Sequence, residues 1–147
     1  MSIKDRIQQD MKDAMRAKEK ARLGTIRLIL AAIKQREVDE RIELDDTQVI
    51  AVLDKMAKQR RESISQFEQA GRDDLIAQEN AELGIILPYL PEALGEDELN
   101  ALIEAAMEAT GASSIKDMGK VMGQLKPKIQ GRADMGAVSA LIKSRLQ

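Results

Sequence analysis

The residues with most chemistry to offer lie in "SIKDMGKVMGQLKPKIQGR", residues 114 to 132. Lys116, Lys120, Lys126, Lys128 and Arg132 crowd this stretch, interleaved with Gly119 and Gly123. Cations at that density suit a polyanion, since each lysine at a phosphate releases a condensed counterion. Read as a helix, Ile115, Met118, Val121, Met122 and Leu125 fall on one face and form a core stripe. Lys116 and Lys120 fall on the opposite side, one turn apart, with the two glycines beside them. A glycine within a helix costs about 1 kcal/mol relative to alanine. The stripe does not need glycine there, so the gain must come from close approach of something to bare backbone. A neighbouring helix packed on the Gly-x-x-x-Gly step would account for it. So would a nucleic-acid backbone with the lysines at its phosphates, and exposed lysines also serve simply as a solvated face. Lys143 and Arg145 extend the basic block toward the C-terminus.

Other chemistry is scarce. The chain has no Cys and no His. That excludes thiolate zinc sites, a cysteine nucleophile and a histidine general base. A carboxylate magnesium site remains open on composition alone. The acids Glu96 to Glu98 are its nearest candidate, but acids also favour the positive end of a helix they begin. Ser113, Ser114 and Lys116 match a Ser-Ser-Lys amidase triad in residue type. They are clustered at a helix start, however, where serine is an ordinary cap. No Gly-x-x-x-x-Gly-Lys-Ser/Thr loop is present for a nucleotide. We therefore expect no catalytic residues, no metal ligands and no cofactor.

These groups must be positioned by helices. Of 147 residues, 44% are hydrophobic, but Phe67 and Tyr89 are the only aromatics, so the core must be aliphatic. That palette suits helix packed on helix, and no segment alternates as a strand would. The expected class is all-α, with an N-terminal domain of long helices, residues 1–90, and a small three-helix C-terminal domain, residues 91–147. "LPYLPEALGEDE" is the expected boundary, because Pro88 and Pro91 interrupt a helix, with Tyr89 as its anchor. Ser2 with Asp5 should cap the first helix. A second stripe runs through Leu23, Ile26, Leu30 and Ile33 to about Glu37, and "VDERIELDD" reads as a loop. Asp45 or Asp46 should cap a third helix that Gly71 ends, and Asp73 should open a fourth. Helices from Glu96 to Thr110, from Ser114 to Leu125 (stopping before Pro127) and from Asp134 onward complete the chain. The last should turn Val138, Leu141, Ile142 and Leu146 inward. Lys58 to Arg61 read as a solvated basic face.

Charge is unevenly spread. Residues 1–72 carry 16 basic and 13 acidic side chains, residues 73–112 carry 10 acidic and none basic, and residues 113–147 carry 7 basic against 2 acidic. A basic block in a chain of net charge −2 points to a local anionic partner. No apolar run approaches ~20 residues, and the N-terminal stretch lacks the apolar region of a secretory signal. From these features the expected location is cytoplasmic, with no membrane partner.

"KDMGKVMGQLKPK" followed by "GRADMGAVSALIK" resembles the C-terminal signature of the GatB/YqeY family. "ILPYLPEAL" and "KQRRESISQFEQAGRDDL" resemble its free-standing YqeY members, so the resemblance spans essentially the whole chain. The family often reads Lys-Ala-Asp-Gly where this chain has Arg132-Ala133-Asp134-Met135-Gly136. The resemblance implies an all-helical fold whose C-terminal domain is similar to the tail of the tRNA-dependent amidotransferase B subunit. That enzyme converts Glu-tRNA(Gln) or Asp-tRNA(Asn) by transamidation, and its tail helps hold the tRNA. By resemblance, Lys116, Gly119, Lys120 and Gly123 become tRNA-backbone candidates, with Lys126, Lys128, Arg132 and Lys143 around them. The expected partner is tRNA or another structured RNA, bound without catalysis. The alternatives are a helical protein-interaction module, or a subunit or stimulator of glutamine-dependent amidotransferase activity.

Overall fold

The computed structural model describes residues 1–147 and is all-α, with seven α-helices and no strand. Four helices form a first unit, Met1–Leu90, and three form a second, Pro91–Gln147. No helix is long and apolar enough to cross a membrane.

In the first unit, α1 spans Ile3–Arg16, α2 Lys20–Glu40, α3 Asp46–Ala70 and α4 Asp73–Ile86. A single 3₁₀ turn, Leu87–Tyr89, follows α4. The Ser2 hydroxyl accepts from the Asp5 amide and the Asp5 carboxylate from the Ser2 amide, which satisfies two free donors of α1 reciprocally. Asp45 and Gln48 do the same for α3. Lys18, at φ 58°, turns the chain within the basic run between α1 and α2. Gly71, at φ 67°, ends α3 in the left-handed region that a side chain would resist.

The core of this unit is aliphatic: Ile7, Ile26, Ile29, Ile33, Val49, Leu53 and Ile86 are fully or almost fully buried. Each such side chain contributes about 1.5–3 kcal/mol through loss of apolar surface, against the entropy of ordering the chain. Tyr89 closes this core at 6% exposure. Its hydroxyl donates to Asp10 and its ring lies beneath the Arg6 guanidinium, 4.9 Å from centroid to Cζ. Arg6 also donates to the Pro88 carbonyl. Between α3 and α4, Arg60 pairs with Glu82 at 3.2 Å, both side chains largely covered.

The expected loop at Val38–Asp46 is shorter than the sequence suggests, because α2 continues through Val38 to Glu40. Gln35 donates to Asp39 and Arg36 to Glu40, each one turn on, and these pairs carry the helix past the point where its apolar stripe ends. Glu37 fastens the loop beyond. Its carboxylate accepts from Lys4 Nζ at 2.8 Å and from the Leu44 amide at 2.9 Å, tying α1 and the loop to α2. These two bonds, Lys4 first, hold its carboxyl below the usual glutamate range.

In the second unit, α5 spans Glu96–Thr110, α6 Met118–Ile129 and α7 Met135–Leu146. A 3₁₀ turn, Ile115–Asp117, leads into α6. The core is Ile103, Val121, Leu125, Ile129, Val138 and Ile142. Gly111, at φ 64°, ends α5. The Asp134 carboxylate accepts from the Gly136 amide and caps α7. Leu141, expected inward, is instead exposed, since Val138, Ile142 and Leu146 already fill the buried face of α7. Ile115 is likewise 44% exposed, because the tighter 3₁₀ turn rotates it off the α6 stripe.

Candidate nucleic-acid interface

The α6 region begins at a built cap. The Asp117 carboxylate accepts from the backbone amides of Ser113 (2.9 Å) and Ser114 (3.2 Å). Those two bonds, with a smaller contribution from the Lys120 charge, hold Asp117 below the usual aspartate range. The two serines thus donate backbone amides to a carboxylate at a helix entry, which is the arrangement of a cap.

Contrary to the expected stop before Pro127, α6 runs on through it to Ile129. Proline costs a helix one amide donor and crowds the carbonyl four residues earlier. Here that carbonyl belongs to Gly123, which is exposed and carries no side chain. Water can reach the freed carbonyl, so the helix survives, and Ile129 continues the buried stripe of Val121 and Leu125. Gly123 and Pro127 are therefore a pair, a relation that their spacing of four residues could have signalled.

Val121, Leu125 and Ile129 define the inward face of α6, with Met118 and Met122 partly buried beside them. The outward face is Gly119, Lys120, Gly123, Gln124 and Pro127, with Lys116 in the 3₁₀ turn just before it, all exposed. Lys126 and Lys128 flank it, also exposed. A Cβ added at Gly119 or Gly123 would meet nothing within 4 Å. No helix of the second unit packs on the Gly-x-x-x-Gly step, so packing within that unit does not account for the glycines. The face is open, and it is bare where the glycines are.

The basic residues differ in what they hold. Lys116, Lys120, Lys126, Lys128 and Lys143 form no salt bridge within the chain. Arg132 is committed: its Nε donates to the Glu92 carbonyl at 3.0 Å, and its guanidinium pairs with Glu98 at 3.7 Å. Its own carbonyl accepts from the Leu94 amide at 2.8 Å. Arg145 pairs with Glu104 and donates to Asn100, tying α7 to α5. Lys143 stands exposed on α7 rather than on the α6 face. Glu96 and Asp97 are exposed in the first turn of α5, and no three carboxylates converge as a metal would require.

Comparison with known proteins agrees with the motif reading. The model of a family described as Yqey-like protein matches residues 4–146. Among curated proteins, several fungal sequences named "Altered inheritance of mitochondria protein 41, mitochondrial" are similar. That of Pyrenophora tritici-repentis is 35% identical over 130 residues, covering 87% of this chain and 71% of its own. That of Eremothecium gossypii is 37% identical over 146 residues, covering 95% and 78%. That of Kluyveromyces lactis is 29% identical over 148 residues, covering 96% and 80%. These names overturn the cytoplasmic expectation. Relatives named as mitochondrial share nearly the whole of this chain.

Proposed function

The chain belongs to the YqeY-like family, and on that premise we propose that it is a non-catalytic accessory protein that binds tRNA or another structured RNA through α6. The observation that carries this reading is the open face of α6. Two glycines with nothing above them stand beside two unpaired lysines one turn apart. A phosphodiester backbone can approach such a surface closely, with Lys116 and Lys120 at its phosphates and Lys126 and Lys128 at the margins. The near absence of aromatic residues favours recognition by shape and phosphate over stacking of single-stranded bases. The similarity of the second unit to the amidotransferase B-subunit tail supports tRNA as the first ligand to try. Arg132 belongs to this reading as a support that pins the 92–98 segment, rather than as a direct contact.

The test is fluorescence anisotropy of labelled tRNA against the full chain over a salt series. Lys116→Glu, Lys120→Glu, Lys126→Glu and Lys128→Glu are combined in one variant. The expected result is binding that weakens steeply with salt, is lost in the variant, and shows a salt slope reduced by about one per phosphate-contacting lysine removed singly. Equal binding by the variant would remove α6 from the interface.

A further inference from the structure

The first unit carries a second face with no partner, and it is not basic alone. On α2, Ala21, Gly24, Leu28, Ala31, Gln35 and Val38 recur at alternating steps of three and four residues. That spacing is the a/d pattern of a coiled-coil seam. All six positions are exposed, with Leu28 at 47% and Val38 at 60%. The core stripe of the same helix (Ile26, Ile29 and Ile33) is buried on the other side. So α2 carries a second face of small and apolar residues, interrupted by Gln35, and the fold buries only the first. A Cβ at Gly24 would meet nothing within 4 Å.

The margins of the seam say what it can accept. One flank is Arg27 and Lys34, followed by Arg41 at the helix end, all exposed and none in a salt bridge. The other flank is Thr25, which is buried, Ala32, which packs against the core, and Asp39, which accepts from Gln35. An occupant therefore leans toward the basic flank. A second copy of α2 fits this poorly. Antiparallel, its basic flank would face the same three cations. Parallel, Lys34 would meet Asp39 but Arg27 would meet Ala32. A helix with carboxylates along one flank satisfies all three cations. Beyond the seam, Lys34, Val38, Arg41 and Ile42, together with Lys4 and the acids Glu37 and Glu43, border a shallow depression of about 440 Å³ of mixed charge.

We propose that the outer face of α2 docks an amphipathic α-helix of a partner protein, about five turns long, with acidic residues flanking its apolar stripe. Gly24 and Ala31 let the partner backbone come close, while Leu28 and Val38 supply the apolar contact. This face is separate from the α6 reading and does not depend on it.

The experiment uses the full chain and a labelled five-turn helical peptide with leucine at its a and d positions and glutamate on both flanks. A twin peptide carries lysine on the flanks. Anisotropy should show the glutamate peptide binding about tenfold or more tighter than its twin. Arg27→Glu, Lys34→Glu and Arg41→Glu together should reverse that preference, and Leu28→Glu with Val38→Glu should abolish binding of both. The substituted residues are exposed, so circular dichroism should show the fold retained. If a variant does not fold, the comparison of the two peptides on the native chain decides alone. No binding of the glutamate peptide, equal affinity for the two, or binding indifferent to Leu28→Glu with Val38→Glu would overturn the proposal. So would a dimer in sedimentation equilibrium that Leu28→Glu dissociates, which would make the occupant a second copy. Loss of tRNA binding in the Arg27, Lys34 and Arg41 variant would overturn it in favour of RNA.

Discussion

The hydroxyl of Tyr89 donates a 2.5 Å hydrogen bond to the carboxylate of Asp10, 79 residues earlier in the chain. It joins the end of the first unit to the middle of its first helix, beneath the Arg6 guanidinium. Burial first, and then the Asp10 hydrogen bond and charge, push the Tyr89 phenol up to about 12. The folded pKa lies above the unfolded value of 10.0. The stability it contributes is therefore present in full below pH 10 and lost as pH rises toward 12. Because Tyr89 is the sole tyrosine, tyrosinate absorbance reports it without overlap. The folded chain should titrate well above the chain unfolded in urea. Tyr89→Phe should cost about 1–2 kcal/mol in urea unfolding near neutrality, from the lost bond to a charged acceptor.

Glu37 should contribute on the acid side, alongside Asp74 and Asp117, whose carboxyls are also held low. The Glu37 carboxyl is held below its ordinary 4.5 by the Lys4 and Leu44 hydrogen bonds. A depressed carboxylate stabilises above its unfolded pKa and loses that contribution as pH falls through the folded one. Melting temperature should drop as pH falls below about 5 in the native chain. The decline should be shallower in Glu37→Gln, which also melts a few degrees lower at neutral pH.

The glycines of α6 give a prediction in which two readouts move in opposite directions. Nothing stands within 4 Å of a Cβ at Gly119 or Gly123, so alanine fits both. Each replacement should stabilise the chain by about 0.4–1 kcal/mol. If RNA approaches the bare backbone, the same changes should weaken tRNA binding severalfold. Stabilisation without any loss of binding would separate the glycines from the ligand. Gly71→Ala is the contrast: at φ 67° it should destabilise by about 1 kcal/mol.

Arg132→Lys tests whether that side chain acts on the fold. A lysine keeps the charge but lacks the planar group that holds both the Glu92 carbonyl and Glu98. The expected outcome is a lower melting temperature by circular dichroism, with tRNA affinity near the native value at temperatures below the transition.

The helical class and most helix starts are legible because they rest on local chemistry, although α6 starts at Met118 after a 3₁₀ turn rather than at Ser114. Ser2 with Asp5, Asp45 with Gln48, and Asp134 each satisfy free amides within a few residues of themselves. Gly71 and Gly111 stop helices through their own backbone freedom. Legibility fails where a distant or side-chain partner decides the outcome. The extension of α2 to Glu40 depends on pairs between polar residues, which a search for apolar periodicity passes over. Pro127 reads as a stop because its cost is local, whereas the relief comes from the exposed glycine one turn back. Arg132 looks free because its partners, Glu92 and Glu98, lie across the second unit in sequence. On the candidate face, Lys120 lies on α6 away from Val121 and Leu125, as the helical wheel has it, whereas Lys116 is exposed in the 3₁₀ turn before the helix. A wheel cannot tell that no other helix of the second unit covers the glycines.

The pairing of Gly123 with Pro127 also has a mechanical side. Along the outer edge of α6 two side chains are missing and one rung of the hydrogen-bond ladder cannot form, while the inner edge keeps its continuous packing of Val121, Leu125 and Ile129. A rod weakened on one side only is compliant in one direction. Bending strain in α6 should therefore concentrate along its exposed edge, away from the packed side of Val121, Leu125 and Ile129.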